Sequence, residues 1–169
     1  DPAATKGIVK RDVIKVITPG TFIENTTEEE YKNVYMLSIY EEDGIYGVAS
    51  SDISTGEFKT TSFTVSKASL LDEISKISPK EILIDKSIYE NFTSLDLKNL
   101  DKRAKKASST LLKYILETQK ISLSNINLLD TYDIINYISI DSSSRRNLEL
   151  TENLRDKTKK GSLIWVLDK

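Results

Sequence analysis

The chain has 169 residues, a formal net charge of −2, and neither histidine nor cysteine. Without these two residue types it cannot form a Ser–His–Asp triad, a cysteine nucleophile, a Cys/His zinc site, an iron–sulfur cluster or a disulfide. Its 30% charged and 38% hydrophobic residues are typical of a soluble globular chain rather than a membrane protein. The length suits one domain, or one domain with part of another.

Strand and turn signals dominate the first part of the chain. Alternating charged and aliphatic residues predict a strand over residues 10–17, which Pro19-Gly20 ends. Thr26 or Thr27 could cap a short helix reaching Glu30. Aromatic and β-branched residues then predict a three-stranded antiparallel meander. Its strands are expected over residues 34–40, 45–53 and 57–64, with turns at 43–44 and 54–56.

The hydrophobic period becomes helical after residue 65. Ser66 is a good N-cap, and apolar residues at 68, 71, 74 and 77, with Leu70 beside them, predict a helix that Ser78-Pro79 ends. The short apolar run 81–84 predicts a buried strand. The resulting β-β-β-α-β order indicates an α/β fold with a mixed sheet, for which the RNase H-like arrangement is one known solution.

The later part of the chain is predicted to be mainly helical. A helix is expected over residues 107–119, with Leu111, Leu112, Ile115 and Leu116 on one side. Residues 126–140 are ambiguous, and residues 142–154 predict a helix that packs one narrow apolar stripe. Ser162 is the expected N-cap of a helix that begins at Leu163. A change of domain is therefore placed between residues 122 and 141.

The two ends of the chain suggest a piece of a longer protein. It starts at Asp1, its single methionine is Met36, and it stops soon after the apolar run 163–167. Natural domains rarely end directly after a segment that looks buried. We therefore expect a fragment, whose function is that of a part.

Asp52 is the strongest candidate for a catalytic acid. It lies on a predicted central strand, where RNase H-like nucleases place a metal-binding carboxylate. No second acid occupies a comparable strand end. The alternative is that Asp52 caps the 54–56 turn through its side chain, and this interpretation is favoured over a nuclease.

Two basic regions could contact phosphate groups. The first is Lys102, Arg103, Lys105 and Lys106, which lacks the interleaved aromatic residues that base stacking needs. The second is Arg145, Arg146, Arg155, Lys157, Lys159 and Lys160, where Glu149 and Glu152 lie within helical reach of some cations. A solvated helix face is the simpler interpretation of the first region. Because the net charge is −2, we expect weak or no DNA binding.

Three stretches together resemble the bacterial MutS family of DNA mismatch-recognition proteins. The first is Lys6-Gly7-Ile8-Val9-Lys10-Arg11-Asp12-Val13, running on to Ile17-Thr18-Pro19-Gly20-Thr21. The second is Tyr46-Gly47-Val48-Ala49 with Asp52-Ile53-Ser54-Thr55-Gly56-Glu57-Phe58. The third is the predicted helical stretch 111–120, followed by Arg145-Arg146-Asn147-Leu148-Glu149-Leu150 and residues 161–168. Each stretch is weak alone. In this order, over nearly the whole chain, they are specific.

The resemblance implies a domain organisation. Residues 1–20 would be the end of the mismatch-binding domain and a linker. Residues 21–122 would be the connector domain, which in the family is RNase H-like and not a nuclease, and residues 123–169 would begin the helical lever or core domain. The family connector usually has several tens more residues between the fourth strand and the 111–120 helix, so residues 89–106 mark a departure from its pattern. Either the connector is trimmed, or an internal loop between Tyr89 and Lys106 is absent from this chain.

The resemblance also implies a function. The segment would be non-catalytic, with no cofactor or metal of its own, and would couple mismatched-DNA binding to the ATPase and to a MutL-type partner. The family's mismatch wedge and its ATP- and magnesium-binding motifs lie outside it, as would the contacts to mismatched duplex DNA and the homodimer contacts. Arg146, Asn147 and Glu149 would make interdomain hydrogen bonds, and the alternative is simple surface exposure. The protein would be cytoplasmic and nucleoid-associated, with no membrane contact.

Two other functions remain open from the residues alone. One is an RNase H-like nuclease that uses Asp52, and the other is a stand-alone nucleic-acid-binding module that uses the basic helix.

Overall fold

A five-stranded mixed sheet forms the centre of the molecule. The computed structural model describes residues 13–21, 33–64, 67–84, 97, 99–119, 126 and 128–168. The strands are β1 (Tyr35–Glu42), β2 (Ile45–Asp52), β3 (Glu57–Phe63), β4 (Glu81–Ile84) and β5 (Asp130–Thr131). Their order across the sheet is β4-β1-β2-β3-β5. This arrangement confirms the predicted α/β fold with an RNase H-like mixed sheet.

The predicted meander is confirmed. β1 pairs antiparallel with β2 and β2 with β3, in registers that bring Tyr35 opposite Asp52 and Asp52 opposite Glu57. Asp43 and Gly44 have φ angles of 56° and 73°. Positive φ at both central residues is the geometry of a type I′ hairpin turn, which matches the right-handed twist of the strands it joins.

Both edge strands run parallel to their neighbours in the sheet. β4 pairs with β1, and β5 pairs with β3. The prediction that residues 81–84 form a strand is correct, but the prediction that it is buried is wrong, since Ile82 and Ile84 are 42% and 77% exposed. An edge strand has a neighbour on one side only. β5 consists of two exposed residues within the ambiguous 126–140 stretch, and no strand was predicted there.

Helix α2 (Lys102–Gln119) covers one face of the sheet. It begins five residues before the predicted start at 107. Its buried side chains pack against sheet residues in one core cluster, which consists of Met36, Ala49, Phe58, Leu97, Ala107, Leu111, Leu112, Ile115 and Ile126. Gly47 lets the helix approach closely, because a Cβ there would overlap the backbone of Arg103 and lie 2.6 Å from the nitrogen of Ala104.

Helix α1 (Lys67–Ile77) covers the opposite face, so the molecule has three layers. Leu70 packs there against a second cluster, which consists of Leu37, Ile39, Val48 and Phe63. The predicted helix is confirmed, but its inner face is rotated from the expected stripe. Leu71 is 56% exposed, whereas the carboxylate residue Glu73 is only 5% exposed. Ser78, with a φ of 52°, follows the helix, in agreement with the predicted end.

The C-terminal part contains short helices only. A 3-10 helix covers Ile134–Asn136, α3 covers Ser142–Asn147 and α4 covers Leu163–Leu167. The predicted helix over 142–154 is wrong in length, because Glu149 adopts a left-handed φ of 47° two residues after α3 ends. The prediction for α4 is confirmed, and the Ser162 side chain accepts a hydrogen bond from Trp165 N at 3.3 Å.

Two N-terminal predictions have different outcomes. Residues 13–17 are described and are not in a strand, so that part of the predicted 10–17 strand is wrong. Val16 bonds to the end of α2 instead of to the sheet. The short helix expected at 26–30 lies outside the described residues. Among the helices that the structure describes, none is long and apolar enough to span a membrane.

Candidate interdomain site

Residues 13–21, which we call the N-terminal strap, attach to the end of α2. Val16 N donates to Thr118 O at 2.7 Å, and Gln119 Nε2 donates to Val16 O at 3.4 Å. The strap then turns sharply, with Thr21 N bonded to Thr18 O at 3.0 Å and Thr18 N bonded to Thr21 Oγ1 at 2.7 Å. These paired threonine bonds hold the Pro19-Gly20 turn in one shape.

Glu81, the first residue of β4, connects this turn to the sheet. Its Oε2 accepts hydrogen bonds from Thr18 Oγ1 at 2.7 Å and Gly20 N at 3.0 Å, and its Oε1 accepts one from the Tyr114 hydroxyl at 2.5 Å. Partial burial alone would raise the pKa of Glu81, but these three donors together hold its pKa below the ordinary value. A Cβ at Gly20 would overlap Met36, so only glycine permits this approach.

A second network joins α1 to the chain after β5. Glu73 accepts hydrogen bonds from the Tyr132 hydroxyl at 2.7 Å and from Lys76 Nζ at 3.1 Å. The same ammonium lies over the rings of Tyr132 and Tyr137, 5.2 and 4.9 Å from their centroids. Burial, reinforced by the negative charge of Glu73, raises the pKa of Tyr132, so its hydroxyl remains a donor at neutral pH.

The start of α3 also contacts α1. Ser142 N donates to Asp72 Oδ1 at 3.3 Å. Asp141 caps α3, accepting from Ser144 N at 2.9 Å and from Ser144 Oγ at 2.5 Å. The sheet domain therefore contacts the preceding chain through β4 and α2, and the following chain through α1 and through the pairing of β3 with β5.

The three predicted interdomain residues occupy different positions. Arg146 lines a groove between the C-terminal end of α1 and the residues after α3, and Asn147 is exposed at the end of α3. Glu149 Oε1 accepts from Leu154 N at 2.5 Å, within its own loop. Their interdomain role stays a prediction. Three residues of these networks were not predicted from the sequence: Glu73, Glu81 and Tyr132. The sequence held a signal for two of them only, since Glu73 is a carboxylate inside an apolar helical period and Glu81 is the carboxylate that opens an apolar strand.

Asp52 serves as the cap of the turn that follows β2. It is 1% exposed and accepts from Ser54 N at 2.8 Å, Ser54 Oγ at 2.6 Å and Val34 N at 3.1 Å. The described residues contain no group of three or more aspartates or glutamates placed to hold a metal ion. The geometry of Asp52 matches the turn-cap interpretation.

Lys102 and Lys105 of the first basic region are exposed, as expected for a solvated helix face, but three of its four cations also pair with an acidic hairpin. Glu42 lies 3.0 Å from Lys102, 3.6 Å from Arg103 and 3.3 Å from Lys106. Lys106 Nζ also donates to the Tyr40 hydroxyl at 2.5 Å. These contacts neutralise much of the charge at the start of α2 and fasten the helix to the β1–β2 hairpin.

Residues 34–97 match the family model described as MutS domain II. A protein named DNA mismatch repair protein MutS, from Clostridium beijerinckii, is 52% identical over the whole of this chain, which covers 22% of that relative. Its namesakes from Clostridium botulinum strains Alaska E43 and 657 are 52% and 44% identical over the whole chain, which covers 21% and 22% of them. The chain corresponds to one segment of the proteins of the MutS family.

The chain spans about a fifth of the length of these MutS relatives. The domain II match includes the meander, α1 and β4, and its last residue, Leu97, is 4% exposed in the core beneath α2. The alignment to the C. beijerinckii MutS extends over 200 positions against 169 residues here, so at least 31 positions have no counterpart in this chain. The number agrees with the several tens of additional residues expected in the family, and it fits a trimmed connector and an internal loop absent from this chain equally well.

Proposed function

We propose that this segment is a non-catalytic coupler within a MutS-type mismatch repair protein. Its connector domain, expected over residues 21–122, would transmit force between the end of a mismatch-binding domain before it and the start of a lever domain from residue 123. Coupling to an ATPase and to a MutL-type partner belongs to this proposal. So do ATP, magnesium, mismatched DNA, a homodimer and a cytoplasmic, nucleoid-associated location for the longer protein.

One observation carries the proposal: the sheet domain holds its two neighbouring segments by separate elements. Glu81 and α2 hold the N-terminal strap, and Glu73 on α1 holds Tyr132 on the opposite face of the sheet. Packed cores deform little, so a three-layer domain moves as one body. A displacement at the strap therefore displaces the Tyr132 contact. Asp52, fully occupied as a turn cap, supports a structural function rather than a nuclease.

The test uses a chimera in which this chain replaces the matching segment of the C. beijerinckii relative. Glu81→Gln removes the charge that holds Thr18, Gly20 and Tyr114. We expect stimulation of ATP hydrolysis by mismatched duplex to fall severalfold, because the Thr18–Gly20 turn of the strap loses its attachment to β4. Basal ATP hydrolysis and mismatch affinity should stay within about twofold of the parent chimera.

The matched control is Glu117→Gln, which removes an equal charge from α2, the helix whose end binds the strap. Glu117 is exposed and contacts only Lys113 among the described residues, at 3.6 Å. We expect the control to keep its stimulation. The proposal fails if Glu81→Gln keeps full stimulation in a folded chimera, or if both variants lose it equally.

A further inference from the structure

An open groove of about 710 Å³ lies between the C-terminal end of α1 and the chain that follows α3. Three separate parts of the molecule supply the cations that line it. Lys76 and Lys80 come from α1 and the turn after it, Arg145 and Arg146 from α3, and Lys157 and Lys159 from the loop before α4. Neither Glu81 nor Glu73 lines this groove. Lys76 is shared, because it lines the groove and also donates to Glu73.

The groove is strongly basic in a chain whose net charge is −2. Six cationic side chains line it, against the single carboxylate of Glu152. Lys76 is paired with Glu73, and Lys159 with Asp168 at 3.0 Å. The other four cations have no carboxylate partner within 4.0 Å among the described residues: Lys80, Arg145, Arg146 and Lys157.

Arg145 is the least satisfied of these cations. Its Nε is buried without a hydrogen-bond partner among the described residues, and its side chain also lines a neighbouring cavity of about 550 Å³. A buried guanidinium N–H that lacks an acceptor costs free energy. An anion in the groove would supply that acceptor, and a planar guanidinium suits the paired oxygens of a phosphate.

The backbone of the groove wall is held in an uncommon conformation at two places. Ser78 and Lys157 line the groove with φ angles of 52° and 60°. Left-handed φ at residues other than glycine costs free energy and often occurs at ligand sites. Neutral donors complete the wall: the hydroxyls of Ser75, Ser78, Ser142 and Thr151. Cations and hydroxyls are the usual partners of phosphate oxygens.

We propose that this groove binds a phosphate-bearing anion, with Arg145 as the anchor and Lys80 and Lys157 as the opposing charges. The net charge of the chain gave the expectation of weak DNA binding, but net charge does not describe a local cluster of cations from three separate segments. The ligand chemistry is a phosphate oxyanion, whether free or part of a phosphodiester chain.

The test measures binding of tripolyphosphate to the 169-residue chain by isothermal titration calorimetry in 20 mM salt. We expect saturable binding by the unaltered chain. The double variant Arg145→Gln/Arg146→Gln should lose about tenfold or more in affinity, because each charge-assisted hydrogen bond contributes substantially. Lys80→Gln/Lys157→Gln, which leaves α3 intact, should also lose severalfold.

The matched control is Lys67→Gln/Lys105→Gln, which removes two exposed positive charges that do not line the groove. It should bind within about twofold of the unaltered chain. Unfolding midpoints identify any variant that has lost its fold, and the other groove variant then decides. Absence of saturable binding by the unaltered chain, or equal losses in the control, would overturn the proposal.

A second measurement separates the two sources of phosphate. A 20-base-pair duplex is titrated into the unaltered chain with and without tripolyphosphate. If the duplex binds, is displaced by tripolyphosphate and is weakened by Arg145→Gln/Arg146→Gln, the groove takes phosphodiester backbone. If the duplex does not compete while tripolyphosphate binds, the groove takes a free phosphate anion. Either result supports the site.

Discussion

Gly47 lies on β2 directly beneath the start of α2, where the helix backbone passes closest to the sheet. A Cβ at this position would overlap the backbone of Arg103 and lie 2.6 Å from Ala104 N. The obstacle is main chain, which cannot rotate away as a flexible side chain would. The whole start of α2 must therefore shift to accept any other residue.

We expect Gly47→Ala to lower the free energy of unfolding by about 2–3 kcal/mol, the cost of overpacking a dense core. Urea unfolding followed by circular dichroism measures this change. The matched control is Gly44→Ala, where a Cβ meets nothing within 4 Å but φ is +73°. That control should lose only about 1–2 kcal/mol, the penalty of left-handed backbone. A smaller loss for Gly47→Ala than for the control would contradict the close approach.

Glu81 makes a contribution to stability that depends on pH. Burial opposes its charge, but hydrogen bonds from Tyr114, Thr18 and Gly20 outweigh burial and lower the pKa of Glu81 below its ordinary value of 4.5. A carboxylate with a lowered pKa stabilises the fold fully above its unfolded-state pKa. That contribution is lost as the pH falls below about 4.5, through the lower pKa of the folded state.

We therefore expect Glu81→Gln to be less stable than the unaltered chain at pH 7, with a difference that shrinks as the pH falls from 5 to 3. Urea midpoints at pH 7, 5 and 3 provide the measurement. Other carboxylates also titrate in this range, so the difference between the two proteins is the informative quantity. Glu117→Gln serves as the control, and a difference for Glu81→Gln that is constant with pH would refute this role of the charge.

Elements with strong local signals were predictable from sequence, and elements fixed by distant contacts were not. The β1–β2 hairpin follows from Asp43-Gly44 alone, and α4 from Ser162 before an apolar run. β5 has only two residues, and its place beside β3 depends on pairing across about 70 residues of chain. The exposure of Leu71 likewise depends on how α1 docks, which the hydrophobic period does not specify.

The candidate site was less predictable than the fold because its members are distant in sequence. Glu73 and Tyr132 are 59 residues apart, and Thr18 and Glu81 are 63 apart. A single carboxylate on an amphipathic helix is normally solvated, so only the structure identifies Glu73 as a buried acceptor. Conversely, Asp52 is prominent in the sequence because its strand is central, whereas among the described residues its side chain accepts from Val34 N and from the backbone and hydroxyl of Ser54.

The Tyr132 hydroxyl makes one of the contacts between α1 and the chain after β5. Tyr132→Phe removes the donor 2.7 Å from Glu73 and leaves a buried carboxylate with Lys76 as its remaining partner. We expect a loss of about 1.5–3 kcal/mol in the free energy of unfolding, which is typical for a hydrogen bond to a charged group. Amide hydrogen exchange at Ile134–Asn136 should also become faster.

Tyr137→Phe is the matched control for this prediction. It keeps the edge-to-face ring contact with Tyr132, whose centroid is 6.2 Å away, and it keeps the ring under Lys76. We expect a change within about 0.5 kcal/mol. Equal effects of the two substitutions would show that ring packing, rather than the hydroxyl bond, holds this segment.

Burial is distributed unevenly over the whole molecule. The described core lies between α2, the sheet and α1, whereas α3 and α4 contain no buried residue. Several apolar side chains of the C-terminal part are 45–74% exposed: Leu148, Leu154, Leu163, Ile164, Val166 and Leu167. Little apolar burial means little free energy to resist opening of residues 141–168.

Trp165 makes this difference measurable, because it is the single tryptophan of the chain and lies on α4. We expect its fluorescence to report a transition at lower urea concentration than the circular dichroism signal, which follows the sheet and α2. Amide exchange should show the same order, with β1–β3 better protected than 141–168. Coincident transitions by both probes would mean that the chain unfolds as one cooperative unit. A low-stability segment attached to a rigid sheet domain is also what the proposed coupling needs, because residues 141–168 could then change position while the sheet domain moves as one body.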